Sequence, residues 1–165
     1  MKKIYYTWPQ IEGACLELAR QLNADNWKPD YIVGIGRGGL IPANLLSQYT
    51  GIKMSSLDIS LRDGGDTVSN CGMAEDAYDG KNILVVDDIN DTGATFNWIM
   101  NDWPSICHPQ AIRWPGVWND NVKFAVVVDN LASKCNVKMD FVGMEVNKAE
   151  KDVWIEFPYE EWWTK

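Results

Sequence analysis

The residues best suited to chemistry lie together in Val85-Val86-Asp87-Asp88-Ile89-Asn90-Asp91-Thr92-Gly93-Ala94-Thr95. An apolar strand here ends in two adjacent carboxylates, and a small-residue loop then opens a helix. Thr92 to Thr95 can turn successive backbone N–H groups toward one point, and the helix dipole adds to their pull, so a phosphate fits there. The hydroxyls of Thr92 and Thr95 donate as well, and the small side chains let the phosphate approach. Paired carboxylates cannot themselves hold phosphate. Asp87 and Asp88 can accept hydrogen bonds from sugar hydroxyls or hold Mg²⁺. One sugar phosphate spans both groups. The competing interpretation of the same residues is an acidic turn that caps a helix.

Such a site needs a strand that delivers the carboxylates at its carboxyl end, where open α/β sheets bind ligands. The apolar run Asn82 to Val86 supplies it. Tyr31 to Ile35, Lys53 to Ser60, Lys123 to Val128 and Met139 to Val142 read as further strands. Helical spacing marks residues 10 to 22, 40 to 50 and 96 to 103. Gly36-Arg37-Gly38-Gly39 breaks the chain between a strand and a helix. Arg62 to Gly80 is rich in Gly, Asp, Ser and Asn without a sustained apolar period, and is expected to be a long mobile loop. Pro104 to Asn121 reads as irregular, and the tail from Asp152 to Lys165 is aromatic and acidic. The alternation of strands and helices predicts one α/β domain over residues 1 to 165, with a mainly parallel twisted sheet flanked by helices.

Composition narrows the partners. The chain has 165 residues and a formal net charge of -8. That balance excludes the basic surface that nucleic acids or anionic membranes require. No window reaches the roughly 18 apolar residues of a membrane span. Met1-Lys2-Lys3-Ile4 runs at once into polar and aromatic residues, so no signal peptide is expected and the cytoplasm is the expected location. Cys15, Cys71, Cys107 and Cys135 form no CxxC pair and read as free thiols. His108, the only histidine, is assigned no role.

Strand, Asp-Asp, two residues, then Asp-Thr-Gly-Ala-Thr resembles the ribose-phosphate signature of type I phosphoribosyltransferases. The resemblance extends along the chain. Gly36-Arg37-Gly38-Gly39 resembles the family's pyrophosphate loop, and residues 62 to 80 stand where the family has its flexible catalytic loop. Phe141-Val142-Gly143-Met144-Glu145-Val146 is similar to a stretch of hypoxanthine-guanine enzymes. Trp154-Ile155-Glu156-Phe157-Pro158 is similar to the C-terminal Trp-Ile-Glu-Gln-Pro of bacterial xanthine-guanine enzymes.

The resemblance implies the fold of that family, with a small hood formed by the terminal segments and residues 152 to 165 in its base-binding part. It implies transfer of ribose phosphate from 5-phosphoribosyl-1-pyrophosphate to an oxopurine (guanine, xanthine or hypoxanthine) in purine salvage, with Mg²⁺ as cofactor and a homodimer or homotetramer as assembly. Arg37, Gly38 and Gly39 would bind pyrophosphate. Asp87 and Asp88 would hold the ribose hydroxyls and the metal, and Asp91, Thr92, Gly93, Ala94 and Thr95 the rest of the sugar phosphate. Asp91 would share the proton of the purine N7, or else cap the next helix. Trp154 would stack on the base and the backbone of Ile155 would read its edge. Asn130 stands where purine enzymes of this family usually carry Lys, with Lys134 four residues on, so a looser oxopurine preference is expected. Two other functions remain open on sequence. One is a non-catalytic sensor of the sugar pyrophosphate. The other is a dinucleotide-binding protein, because Gly34 to Gly39 satisfies G-x-G-x-x-G and Asp58 follows near the right distance.

Overall fold

Three β-strands with helical crossovers between them set the frame. The computed structural model describes residues 1–59, 70–107 and 114–165. β2 (Tyr31–Gly36), α2 (Leu40–Thr50), β3 (Met54–Asp58), α3 (Cys71–Tyr78) and β4 (Ile83–Asn90) follow one another, after β1 (Lys2–Tyr5) and α1 (Trp8–Ala24). α4 (Ala94–Cys107), the short α5 (Trp114–Val117), β5 (Val122–Asn130), β6 (Phe141–Val146) and β7 (Val153–Glu156) complete the order. Five strands form one sheet in the order β3-β2-β4-β5-β6, and every pairing in it is parallel. α1 and α2 bury Ile11, Leu18, Leu22, Ala43 and Leu46 against Ile32, Leu84 and Val127 on one face. Phe96, Ile99 and Trp103 of α4 and Met73 and Ala77 of α3 pack against Val33, Val85 and Phe124 on the other. Burial on both faces is why β4 and β5 are continuous apolar runs rather than alternating ones.

The strand order reverses direction between β2 and β4. In an open parallel sheet that switch point leaves a crevice at the carboxyl ends of the two strands. Gly36 to Gly39 leave β2 there, and Asp87 and Asp88 follow the continuous apolar run of β4. A second sheet of two strands pairs β1 with β7 in parallel, with Lys3 opposite Trp154 and Ile4 opposite Ile155. This is the expected hood.

The structure corrects the sequence expectations at several places. Residues 60 to 69, which include the first part of the expected loop 62 to 80, lie outside the described residues. Asn70 to Gly80 are no loop, because Cys71–Tyr78 form α3, capped by the Asn70 side chain, which accepts from the Met73 N–H. The helix buries only Met73, Ala74 and Ala77, so its apolar period rests on one large side chain and two alanines and is weak. β4 runs on to Asn90, and the loop shrinks to Asp91–Gly93. α4 continues through Pro104 to Cys107, losing only the one bond that the proline nitrogen cannot donate. His108 lies outside the described residues.

Candidate functional site

Around Thr92 the chain makes a cradle. Lys134 N–H donates to the Thr92 carbonyl at 2.9 Å, Ala94 N–H donates to Thr92 Oγ1 at 3.2 Å, and Asn97 N–H donates to the Gly93 carbonyl at 3.0 Å. The other N–H groups at the start of α4 lack intrahelical acceptors. Asp87 to Phe96 enclose a cavity of about 220 Å³ here. Gly93 is required by its own surroundings. Its φ is +89°, and a Cβ would lie 2.7 Å from Cys135 Cα. A side chain there strains the backbone and collides with the 134–135 turn, so Gly93→Val would disturb the fold as well as the site.

The acid pair is divided in its environment. Asp87 is buried, and its Oδ1 accepts the Asp88 N–H at 2.8 Å. Asp88 is half-buried and its Oδ2 accepts the Tyr159 hydroxyl at 3.0 Å. Burial, reinforced by the neighbouring Asp88 carboxylate, pushes the Tyr159 phenol up, so it remains a donor. No third acidic, His or Cys side chain joins these two carboxylates to form a metal cluster among the described residues. The set therefore does not suit an all-protein metal cage. It does suit Mg²⁺, which keeps several waters and takes further oxygens from a bound phosphate.

Gly36-Arg37-Gly38-Gly39 lies directly against the acid pair. A Cβ on Gly38 would overlap the Asp88 carboxylate. The Gly36–Arg37 peptide bond is cis. Arg37 is exposed and lines a large cleft of about 990 Å³ together with Gly38, Asp87, Asp88, Thr95 and Trp154. Gly39 stands differently from expectation. Its N–H donates to the Ile35 carbonyl at 2.9 Å, so the amide belongs to the turn. A Cβ there would lie 2.5 Å from the Val86 carbonyl oxygen and 2.7 Å from that of Ile35, and glycine lets the loop sit on the sheet. Gly34 has a similar packing role, since its Cβ would come within 2.8 Å of Ala43 Cβ. Two glycines of the G-x-G-x-x-G match are thereby explained by strand–helix and loop–sheet contact.

Across the cleft stands the hood. Lys2 N–H donates to the Asp152 carbonyl and Tyr6 N–H to the Glu156 carbonyl. In a parallel ladder, alternate residues face the partner strand, so the N–H and C=O of Ile155 turn to the other edge of β7. Trp154 lies on this strand and lines the cleft.

A phosphoribosyl transferase domain model matches residues 1–161. The chain belongs to this family. It is 27 % identical over 164 residues to a xanthine-guanine phosphoribosyltransferase of Idiomarina loihiensis, covering 96 % of this chain and 88 % of that one. Against a hypoxanthine-guanine phosphoribosyltransferase of Schizosaccharomyces pombe the identity is 25 % over 190 residues, covering 96 % and 89 %. Among solved structures, a purine phosphoribosyltransferase from Pyrococcus horikoshii superposes with a TM-score of 0.67 at 27 % identity, covering 98 % and 96 % of the two chains.

Within this transferase frame, Asn130 stands apart from its sequence assignment, Asp91 loses one of its two, and one residue was missed. The Asp91 carboxylate does not cap α4. Its Oδ1 is 2.7 Å from Lys148 Nζ, and the capping oxygen is that of Thr92. Asn130 is buried behind the site. Its Nδ2 donates to the Asp91 carbonyl at 2.8 Å, while its Oδ1 accepts the N–H groups of Ala132 and Lys148, both at 3.1 Å. An amide so committed to backbone has little left to offer a base. The missed residue is Lys148, in the turn between β6 and β7, within a charged stretch whose spacing carries no signal. Lys134 places its backbone, not its ammonium, against the cradle through Thr92 and Asn97.

Proposed function

We propose that the protein transfers the 5-phosphoribosyl group of 5-phosphoribosyl-1-pyrophosphate to a ring nitrogen of an oxopurine, guanine, xanthine or hypoxanthine, and releases pyrophosphate. The observation that carries this is the cleft itself, where Arg37, Gly38, Asp87, Asp88, Thr95 and Trp154 line one space. It unites a phosphate cradle, a sugar-binding acid pair, a pyrophosphate loop and an aromatic wall. The names of the relatives point to the same substrates.

In this reading Thr92, Gly93, Ala94 and Thr95 hold the 5′-phosphate through N–H and hydroxyl groups. Asp87 and Asp88 accept the ribose hydroxyls. Arg37 forks onto pyrophosphate oxygens, which its planar guanidinium matches, and Gly38 lets the pyrophosphate approach. The purine lies against Trp154, with Ile155 presenting backbone groups to its edge and Asp91 accepting a ring proton. The C1–O bond to pyrophosphate breaks as the C1–N bond forms, through an oxocarbenium-like state. No covalent nucleophile is needed, since positioning and exclusion of water supply the rate. When bound, Mg²⁺ would rest on Asp88, with Asp87 beside it, and neutralise charge on the departing pyrophosphate. The same family kinship supports a cytoplasmic place in purine salvage and assembly as a homodimer or homotetramer.

The test is an assay with the sugar pyrophosphate and Mg²⁺ against guanine, xanthine, hypoxanthine, adenine and orotate. Turnover of an oxopurine is expected. Binding of the sugar pyrophosphate with no turnover of any base would point instead to a sensor.

A further inference from the structure

We propose that Lys148 is the residue that selects an oxo group on the base, and that in the free protein its ammonium holds the base's place on Trp154. This rests on the purine-binding reading above.

Three observations converge on this lysine. The first is its position. Lys148 Nζ lies 5.6 Å from the centroid of the Trp154 ring and 2.7 Å from Asp91 Oδ1. Trp154, Asp91, Ile155 and Lys148 share one crevice with Asp88 and Phe157, and its free volume is only about 10 Å³. That is room for a single water, so no ring stacks on this face of Trp154 while the ammonium covers it.

The second is its anchorage. One buried amide, that of Asn130, holds the backbones of both partners, since it donates to the carbonyl of Asp91 and accepts from the N–H of Lys148. The main chains of the ion pair are fixed from behind, while the four-carbon stem of Lys148 remains able to swing. An arriving ring can therefore displace the ammonium from the Trp154 face without displacing the turn. The ammonium then lies at the rim of the ring, and Asp91 is released to accept a ring N–H.

The third is donor chemistry. An ammonium offers three donors and no acceptor, whereas a side-chain amide can serve either an oxo or an amino group. A lysine at the rim bonds an exocyclic oxygen and offers nothing to an exocyclic amino group. This makes Lys148 a discriminator between hypoxanthine and adenine, which differ by that substituent.

Steady-state kinetics of wild type, Lys148→Met and Lys148→Arg decide the matter. Hypoxanthine is used as substrate, and adenine as substrate or competitive inhibitor. Lys148→Met is expected to raise the KM for hypoxanthine about tenfold or more, to weaken adenine no further, and to leave the KM for the sugar pyrophosphate within about twofold. Lys148→Arg, still a donor only, keeps most of the preference. An unchanged or lowered KM for hypoxanthine in Lys148→Met, or an equal loss for both bases, overturns the proposal. If that variant does not fold, Lys148→Gln replaces it. The glutamine amide adds an acceptor, so the preference must narrow, and an unchanged preference overturns the proposal. Wild type that transfers to no oxopurine is a separate result, which removes the functional reading and this inference with it.

Discussion

The two walls of the cleft are built on opposite plans. The sugar-phosphate wall comes from one stretch of chain, Asp87 to Thr95, delivered by the central strand of a five-stranded sheet whose flanks are fully buried. The base wall is assembled from pieces far apart in sequence: Trp154 and Ile155 on a two-stranded ribbon, Lys148 on the turn before it, and Asn130 behind it. A two-stranded ribbon is marginal alone, and this one leans on its packing, including Tyr6 against Phe157 and Phe157 stacked on Tyr159. On the proposed function, phosphate would bind against the continuous sheet, and base selection would fall to elements that pack on it separately.

The largest expected effect concerns the sugar-phosphate wall. An acidic pair beside a phosphate cradle repels a polyphosphate unless a cation bridges them. Calorimetric titration with the sugar pyrophosphate should show binding with Mg²⁺ and none after EDTA. Equal affinity in both would mean that the acid pair does not face the pyrophosphate. A smaller effect is expected on the other wall. Trp154→Ala should raise the KM for purine roughly tenfold, because stacking on an aromatic is worth about 1–3 kcal/mol and ~1.4 kcal/mol is a factor of ten. The KM for the sugar pyrophosphate should hardly move. Parallel losses for both substrates would show that the walls are coupled and would break the comparison.

The smallest effect separates the walls by pH. Glu156 ends β7 nearly buried, with Lys3 Nζ at 3.1 Å and Lys165 Nζ at 3.4 Å. The hydrogen bond from Lys3, helped by Lys165, holds its carboxyl below the usual glutamate value. A lowered folded value stabilises the hood above the ordinary glutamate pKa, about 4.3, and that stabilisation is lost as pH falls through the lowered value. Amide resonances of β1 and β7 should therefore broaden or shift on acidification below about pH 4, before those of β4 and β5. Simultaneous loss would show one cooperative unit.

The same division explains what could be read without a structure. The phosphate wall is contiguous, so its residue types and spacing carry the chemistry, and α2 stands where the pattern placed it, while β4 runs four residues past its expected end and takes in the acid pair. The base wall depends on contacts between residues distant in sequence. β1 reads as a polar start because Lys2, Lys3 and Tyr5 are exposed and only Ile4 is half-buried; its partner lies some 150 residues on. Trp154 was accessible through resemblance, whereas Lys148 was not, because a lysine in a charged turn looks like any solvated lysine until Asp91 and Trp154 are folded against it. Asn130 was recognisable as the odd residue at the end of β5, but which groups its amide holds depends on where Asp91 and the β6–β7 turn come to lie.

The β1–β7 pairing also sets an order of events during synthesis. Lys3 of β1 meets Glu156 only after 153 further residues have been made. Until β7 emerges, β1 is an unpaired edge, open to adventitious pairing with another chain, while β2 and β4 can already assemble the crevice between them. A nascent chain at that stage has a phosphate end and no base wall, so a bound sugar pyrophosphate would expose its C1 to water. On the proposed function, the chain can therefore shield its substrate from hydrolysis only once β7 has closed the ribbon.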